Sequence, residues 1–409
     1  MRRSALASLA AVLVLCVLAA PGARADAAFE RFLGTLWPQA QQLGVSRATF
    51  DGATRGLAPD LSLPDLAIPG RPEKPQPGQA EFVQTPAEYL RENTFNRLAE
   101  QGRRLLARHR ATLEKIEREF GVPGPIILAI WGRETAFGTY RLPKDAVQVL
   151  ATQAYVGRRK DYFRRQFLYA LKMLEDGVPR ERMRASWGGA MGLTQLLPAE
   201  YYEYGVDLDG DGKVDIWNSV ADALGSAAKQ LVAKGWQRGE RWAIEVRAPK
   251  DFDCTLGTPD VQRTIGEWLR AGFSPAYDRK LRPEELARPA SILQPAGIYG
   301  PSFLTPKNYF VIKEYNTSDL YVLFVGHLAD RMTDPRPFET KWTNVVQLRT
   351  ADVERMQDRL AALHLYGDKI DGKAGMRTRA ALGAYQKANG LRPDCWPTAA
   401  VLDHMRSRR

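Results

Sequence analysis

Between Ile126 and Trp131 the chain reads IILAIW, apolar at every position, so a helix here has no polar face to offer water and is buried all round. The breaker GVPG at Gly121–Gly124 precedes it, and Pro125 suits a first helical turn. Upstream, Pro86 to Phe120 shows a helical pattern with many exposed Arg and Glu positions. Residues 26–57 also read as helical, with Phe29, Phe32, Leu33 and Leu36 on one side. The Pro-rich stretch over 58–80 predicts an extended segment between the two. Helical spacing returns at 160–175, 198–204, 220–234 and 317–332. Sustained two-residue alternation is scarce, so a mostly α body is expected over residues 26–333. DPRPFETK then predicts a linker, placed at 334–346. The last unit, 347–409, carries one helical stripe at Val353, Met356, Leu360 and Leu363 and another at Ala381, Ala384, Tyr385 and Ala388. It reads as a small three-helix module.

Composition changes this picture at the amino end. Residues 1–25 have a basic start, an apolar middle and the small-residue exit Ala23-Arg24-Ala25, the pattern of a cleavable export signal. The run Ala5–Ala20 is short for a membrane span. Leu15 precedes Cys16 where lipid attachment wants a small residue, so a lipid anchor is not expected. The formal net charge is +11, and removing the three arginines of the signal leaves +8. A basic, exported, periplasmic chain points to an anionic extracytoplasmic partner and away from nucleic acid. Cys254 and Cys395 remain, and an oxidising compartment permits a bond between them as readily as two free thiols. If they join, the module is pinned to the main body. The four histidines are scattered and no paired-Cys pattern appears, which points away from a zinc peptidase.

Four stretches carry chemistry. Glu134 follows the apolar helix, and both hydrocarbon and the negative helix end push a carboxyl pKa upward, as a general acid requires. A Glu paired with Arg or capping a neighbour would look the same. ASWGGAMGLTQ brings Ser186, Thr194 and Gln195 together with glycines that allow close backbone approach, a setting for a sugar or merely a tight turn. In DLDGDGKVDIWNSVAD, Asp207, Asp209 and Asp211 followed by Gly212 match the first half of an EF-hand loop, with the Lys213 carbonyl at position seven. Asn218 stands where the closing Glu belongs, and the nearest downstream carboxylate is Asp222. In EYNTSDLY, Tyr315 and Tyr321 offer ring faces to a sugar or to the core.

Together, and in this order from about Glu81 to Met332, these stretches resemble the membrane-bound lytic transglycosylase B family. The last unit resembles the peptidoglycan-binding domain often appended to wall hydrolases, through Gln357, Leu360, Ile370-Asp371-Gly372, Thr378, Ala381, Gln386 and Leu391. The resemblance implies a lysozyme-like, mostly α catalytic domain. It implies Glu134 as the single acid/base, Ser186 supporting that carboxylate, Gln195 on substrate, and Tyr315 and Tyr321 lining the cleft. It also implies structural calcium at Asp207, Asp209, Asp211, the Lys213 carbonyl and Asp222, and no organic cofactor. Leu193 and Gln230 depart from the family pattern at substrate-lining positions. The expected reaction opens the bond between N-acetylmuramic acid and N-acetylglucosamine to leave a 1,6-anhydro end. A hydrolytic muramidase or a non-catalytic wall-binding scaffold are the rivals. The expected partner of this monomer is the glycan strand, with wall-synthesis proteins as further candidates.

Overall fold

The computed structural model describes residues 27–70, 79–343 and 345–408. The export signal and the middle of the Pro-rich stretch fall outside the described residues. Among the described residues no helix is long and apolar enough to cross a membrane.

The apolar run forms the helix Gly124–Thr135, with every residue from Ile126 to Gly132 buried. It packs between the helices Glu92–Arg108 and Asp319–Thr333. Asp319–Thr333 is also buried almost throughout, and Tyr321, Val322, Val325 and Leu328 join Ile127, Leu128 and Ile130 in one core. Two helices buried on nearly every face pack against each other here and bury far more surface than an amphipathic pair would.

A second core lies beside the first. The helices Ala146–Val156 and Lys160–Glu175 form it with the amino-terminal helices Ala27–Thr35, Trp37–Gln42 and Arg47–Thr54. Phe29, Leu33 and Leu36 point into it as their spacing predicts, while Phe32 is only partly covered. The described part of the Pro-rich stretch lies against it in turns and bends where an extended segment was expected, and Leu63 and Leu66 pack on Val149 and Val156.

The third unit is a departure from the sequence reading. Residues 244–305 contain a five-stranded antiparallel sheet, in the order Arg263–Thr264, Pro289–Leu293, Ser302–Thr305, Ile244–Arg247 and Ser274–Pro275. No strand exceeds five residues, and Ser302–Thr305 is buried at every position. Such strands show no alternation to detect. The body is still mostly helical.

The C-terminal module has the three expected helices, Thr350–Ala362, Met376–Ala388 and Ala399–Ser407. Val353, Met356 and Leu360 are buried, but Leu363 is exposed. On the second helix the buried face runs through Thr378, Ala381, Leu382 and Tyr385, leaving Ala388 outside. Gln357 is fully buried, and its Oε1 accepts from the Asp371 and Gly372 amides at 3.0 and 2.8 Å, fixing that turn. Cys254 and Cys395 form a disulfide with Cα atoms 6.1 Å apart. The segment expected to be a free linker lies on the body. Phe338 stacks on His327 with ring centres 3.7 Å apart, and Glu245 accepts from the Glu339 and Thr340 amides.

Candidate active site

Glu134 sits on the last turn of the buried helix Gly124–Thr135, which ends because Ala136 turns left-handed at φ 49°. Phe137 follows at φ 57°, so two consecutive non-glycine residues occupy a costly region immediately after the acid. The Glu134 side chain opens into a groove of about 570 Å³ whose walls include Gln84, Tyr89, Arg97, Arg133 and Tyr140. Burial by these walls raises the carboxyl pKa, and the nearby Glu81 carboxylate raises it further. The Tyr321 hydroxyl donates to Glu134 Oε1, and this bond and the Arg133 charge pull the other way without cancelling the burial. Tyr321 is itself 1 % exposed, and its own pKa is raised well above the ordinary phenol value, chiefly by burial, so it stays a donor.

Arg133 is the neighbour the sequence undervalues. Its Nε and Nη2 donate to the Tyr89 hydroxyl at 2.9 and 2.7 Å, and its guanidinium lies over the rings of Tyr89, Tyr321 and Phe324. Glu81 is buried, faces Arg133 at 4.0 Å and accepts from Asn316 Nδ2 at 3.2 Å. Nothing in the sequence links Glu81 to Glu134, because the two lie on different elements; only the proximity of Arg133 in the chain was a usable signal.

The other predicted stretches meet here. Thr135 Oγ1 donates to the Leu193 carbonyl at 2.7 Å, and the Tyr315 hydroxyl donates to the Thr194 carbonyl at 2.5 Å. Tyr315 and Tyr321 lie nearly parallel, 8° apart, with ring centres at 6.4 Å. Gln195 holds φ 62°, and its Nε2 donates to the Gly192 carbonyl at 3.0 Å. Gly192 is required as glycine: at φ 74° a Cβ would lie 2.7 Å from the Ile216 carbonyl oxygen. Ser186 differs from expectation. Its Oγ accepts from the Ala190 amide at 3.2 Å, closing the glycine turn, and among the described residues no hydrogen bond joins it to Glu134. Tyr321, not Ser186, holds the carboxylate.

In the acidic loop, carboxylate oxygens of Asp207, Asp209 and Asp211 all lie within 4.8 Å of one another. Asp207 also accepts from the Gly210 and Gly212 amides, at 2.7 and 2.8 Å, which shapes the loop. The Lys213 amide donates to Asp211 Oδ1 at 2.9 Å. Asp222 does not join the three carboxylates. It is fully buried beneath them, and its two oxygens accept from the Leu208, Asp209 and Asp215 amides, so its charge is spent on holding the loop.

The family described as Transglycosylase SLT domain matches residues 28–330, which contain the Glu134 groove, the glycine turn, the acidic loop and both tyrosines. The chain belongs to that family. A second family, the Putative peptidoglycan binding domain, matches residues 349–405. Membrane-bound lytic murein transglycosylase B of Escherichia coli (strain K12) is 30% identical over 222 residues, 53% of this chain and 59% of that protein. The match thus spans less than two thirds of that curated relative. SltB3 from Pseudomonas aeruginosa, in complex with NAG-anhNAM-pentapeptide, is 36% identical with a TM-score of 0.82, covering 92% of this chain and 99% of that one. Escherichia coli lytic transglycosylase Slt35 in complex with calcium is 25% identical with a TM-score of 0.53, covering 63% and 81%. This SLT-family chain is therefore a lysozyme-like helical body joined to a helical wall-binding type of module.

Proposed function

We propose that the chain is a lytic transglycosylase that cleaves the β-1,4 bond from N-acetylmuramic acid to N-acetylglucosamine in peptidoglycan and leaves 1,6-anhydro ends. The observation that carries this reading is a groove in which, among the described residues, one carboxyl group is left without a structural task. Glu81 is tied up with Arg133 and Asn316. Glu88 accepts from the amide and hydroxyl of Thr85, and these bonds hold its pKa below the usual value. Glu134, whose carboxyl pKa burial raises above the ordinary value, faces the open space. Ordinary glycosidases need a second carboxylate as nucleophile or base. A transglycosylase does not.

Glu134 gives its proton to the glycosidic oxygen as the C1–O bond breaks. The substrate's acetamido group stabilises the developing positive charge at C1. Glu134, now a carboxylate held by Tyr321, takes the proton from the muramic acid 6-hydroxyl while that oxygen bonds to C1. The acid is restored, no water is consumed, and proximity within the sugar replaces a positioned nucleophile. Mass spectrometry of fragments released from purified sacculi tests this. Ends lighter by one water and inert to borohydride are expected; ordinary reducing ends would make the enzyme a hydrolytic muramidase. Glu134→Gln should reduce release by about 10²-fold or more, and unchanged release would leave only a binding scaffold with the chemistry elsewhere.

Calcium is the second part of the reading. Asp207, Asp209 and Asp211 present hard oxygen donors close enough for one cation, and the Lys213 carbonyl follows at the position that such loops use. They fit the ion; its contribution is to hold the loop under the glycine turn, through the Leu193 amide bonded to the Ile216 carbonyl at 2.9 Å. The disulfide supports an oxidising, extracytoplasmic location, in keeping with the periplasmic export read from residues 1–25.

A further inference from the structure

The C-terminal module reaches the catalytic body at a point two residues from Tyr321. Arg379, on the module helix Met376–Ala388, donates from Nη2 to Asp319 Oδ2 at 2.9 Å, and each side chain of this pair is only 7 % exposed. Asp319 is the first residue of the helix Asp319–Thr333. Its other oxygen accepts from the Tyr309 hydroxyl at 2.7 Å and from Lys313 Nζ. Tyr309 and Lys313 belong to the helix Lys307–Tyr315. One buried carboxylate therefore ties together the start of the helix bearing Tyr321, the helix ending in Tyr315, and the module. Other polar ties between module and body lie farther from the Glu134 site's helices. The Tyr299 hydroxyl donates to Asp394 Oδ2 at 2.9 Å and the Ile298 amide to the Asp394 carbonyl at 3.2 Å. Lys387–Asp253 and Arg377–Asp260 are ion pairs on the open surface, where solvent screens them.

We infer that Arg379 is a positioning residue for the reaction, setting through Asp319 the first helical turn from which Tyr321 holds Glu134. This rests on Glu134 being the acid. Loss of Arg379 leaves Oδ2 of this buried carboxylate without its charged donor, while Lys313 and Tyr309 pull on Oδ1 alone, so the group must shift toward them; Asp319 sits within one turn of the phenol that touches the reacting carboxyl. Hydrogen bonds lose strength steeply with angle, so a small tilt of that turn misplaces the Glu134 proton. The module then has a role in the chemistry that does not depend on its grip on the wall.

The test compares full-length wild type, Arg379→Met, Arg379→Lys, Arg379→Gln and the surface control Lys387→Ala on soluble glycan fragments too short to reach the module. Arg379→Met should lower kcat roughly ten-fold with KM within about two-fold. Arg379→Lys, which keeps the charge but not the fork, should recover most of that loss. Lys387→Ala should behave as wild type. A wild-type kcat for Arg379→Met overturns the inference, and so does an equal loss in Lys387→Ala or a loss confined to insoluble sacculi. If Arg379→Met melts below the assay temperature, Arg379→Gln decides: reduced kcat at unchanged KM supports the inference and wild-type kcat ends it. Product identity reports on the transglycosylase reading separately, because the kcat ratio has the same meaning whether the ends are anhydro or reducing.

Discussion

At Glu134 the decisive quantity is the balance between burial, which raises the carboxyl pKa, and two neighbours that lower it, Tyr321 and Arg133. A donor to the ionised form favours that form. Tyr321→Phe removes it, so the Glu134 pKa should move up. The reaction needs the protonated acid, so the alkaline limb of kcat/KM against pH should shift to higher pH. Glu81→Gln removes a like charge and should move the same limb down. A limb that stays put in both variants, or moves the opposite way, would show that Glu134 is not the group titrating. Much of this site was legible in the sequence, because a polar residue interrupting so long an apolar run is rare and needs a reason. Ser186 closes the glycine turn, a use that the sequence reading kept open beside a sugar setting. Glu81 was invisible, since its place depends on the path of residues after the Pro-rich stretch.

On the scale of elements, long and apolar segments were the readable ones. Gly124–Thr135 and Asp319–Thr333 announce themselves by composition. The five strands do not, being too short and too evenly buried to show a period. The acidic loop was readable as a spacing, but Asp222 was not readable as its foundation, because three amides from the loop itself occupy its oxygens. This division gives a prediction. Calcium should raise the thermal midpoint by binding the folded state, worth about 2.7 kcal/mol at a hundred times Kd. Asp209→Asn should abolish most of that rise while leaving the metal-free midpoint close to wild type. Asp222→Asn should lower the midpoint with and without the ion, since it removes acceptors from buried amides. Equal calcium shifts in wild type and Asp209→Asn would rule out the three-carboxylate site.

Across the whole molecule, the bond between Cys254 and Cys395 closes a loop over a sequence separation of 141 residues. The chain-entropy account values such a closure at about 5 kcal/mol. Cys395→Ser should lose roughly that much in denaturant unfolding, and reductant should bring wild type to the same midpoint. A variant as stable as wild type would mean that the module's other ties already fix it. The sequence left bonded and free thiols equally open, because pairing is a fact about distance that spacing along the chain does not contain. The stretch after Asp334 has the further consequence. Phe338 lies flat on His327 and Glu245 grips the next two amides, so these residues of the strap are fastened to the body and, with the disulfide, leave the module tied close to it. An anchor on a loose rope lets its boat drift and work anywhere within the circle; one bolted to the hull does not. Wherever the module settles on a strand, the Glu134 groove stands at one distance and one bearing from it, so cuts should fall at a set interval from the point of attachment.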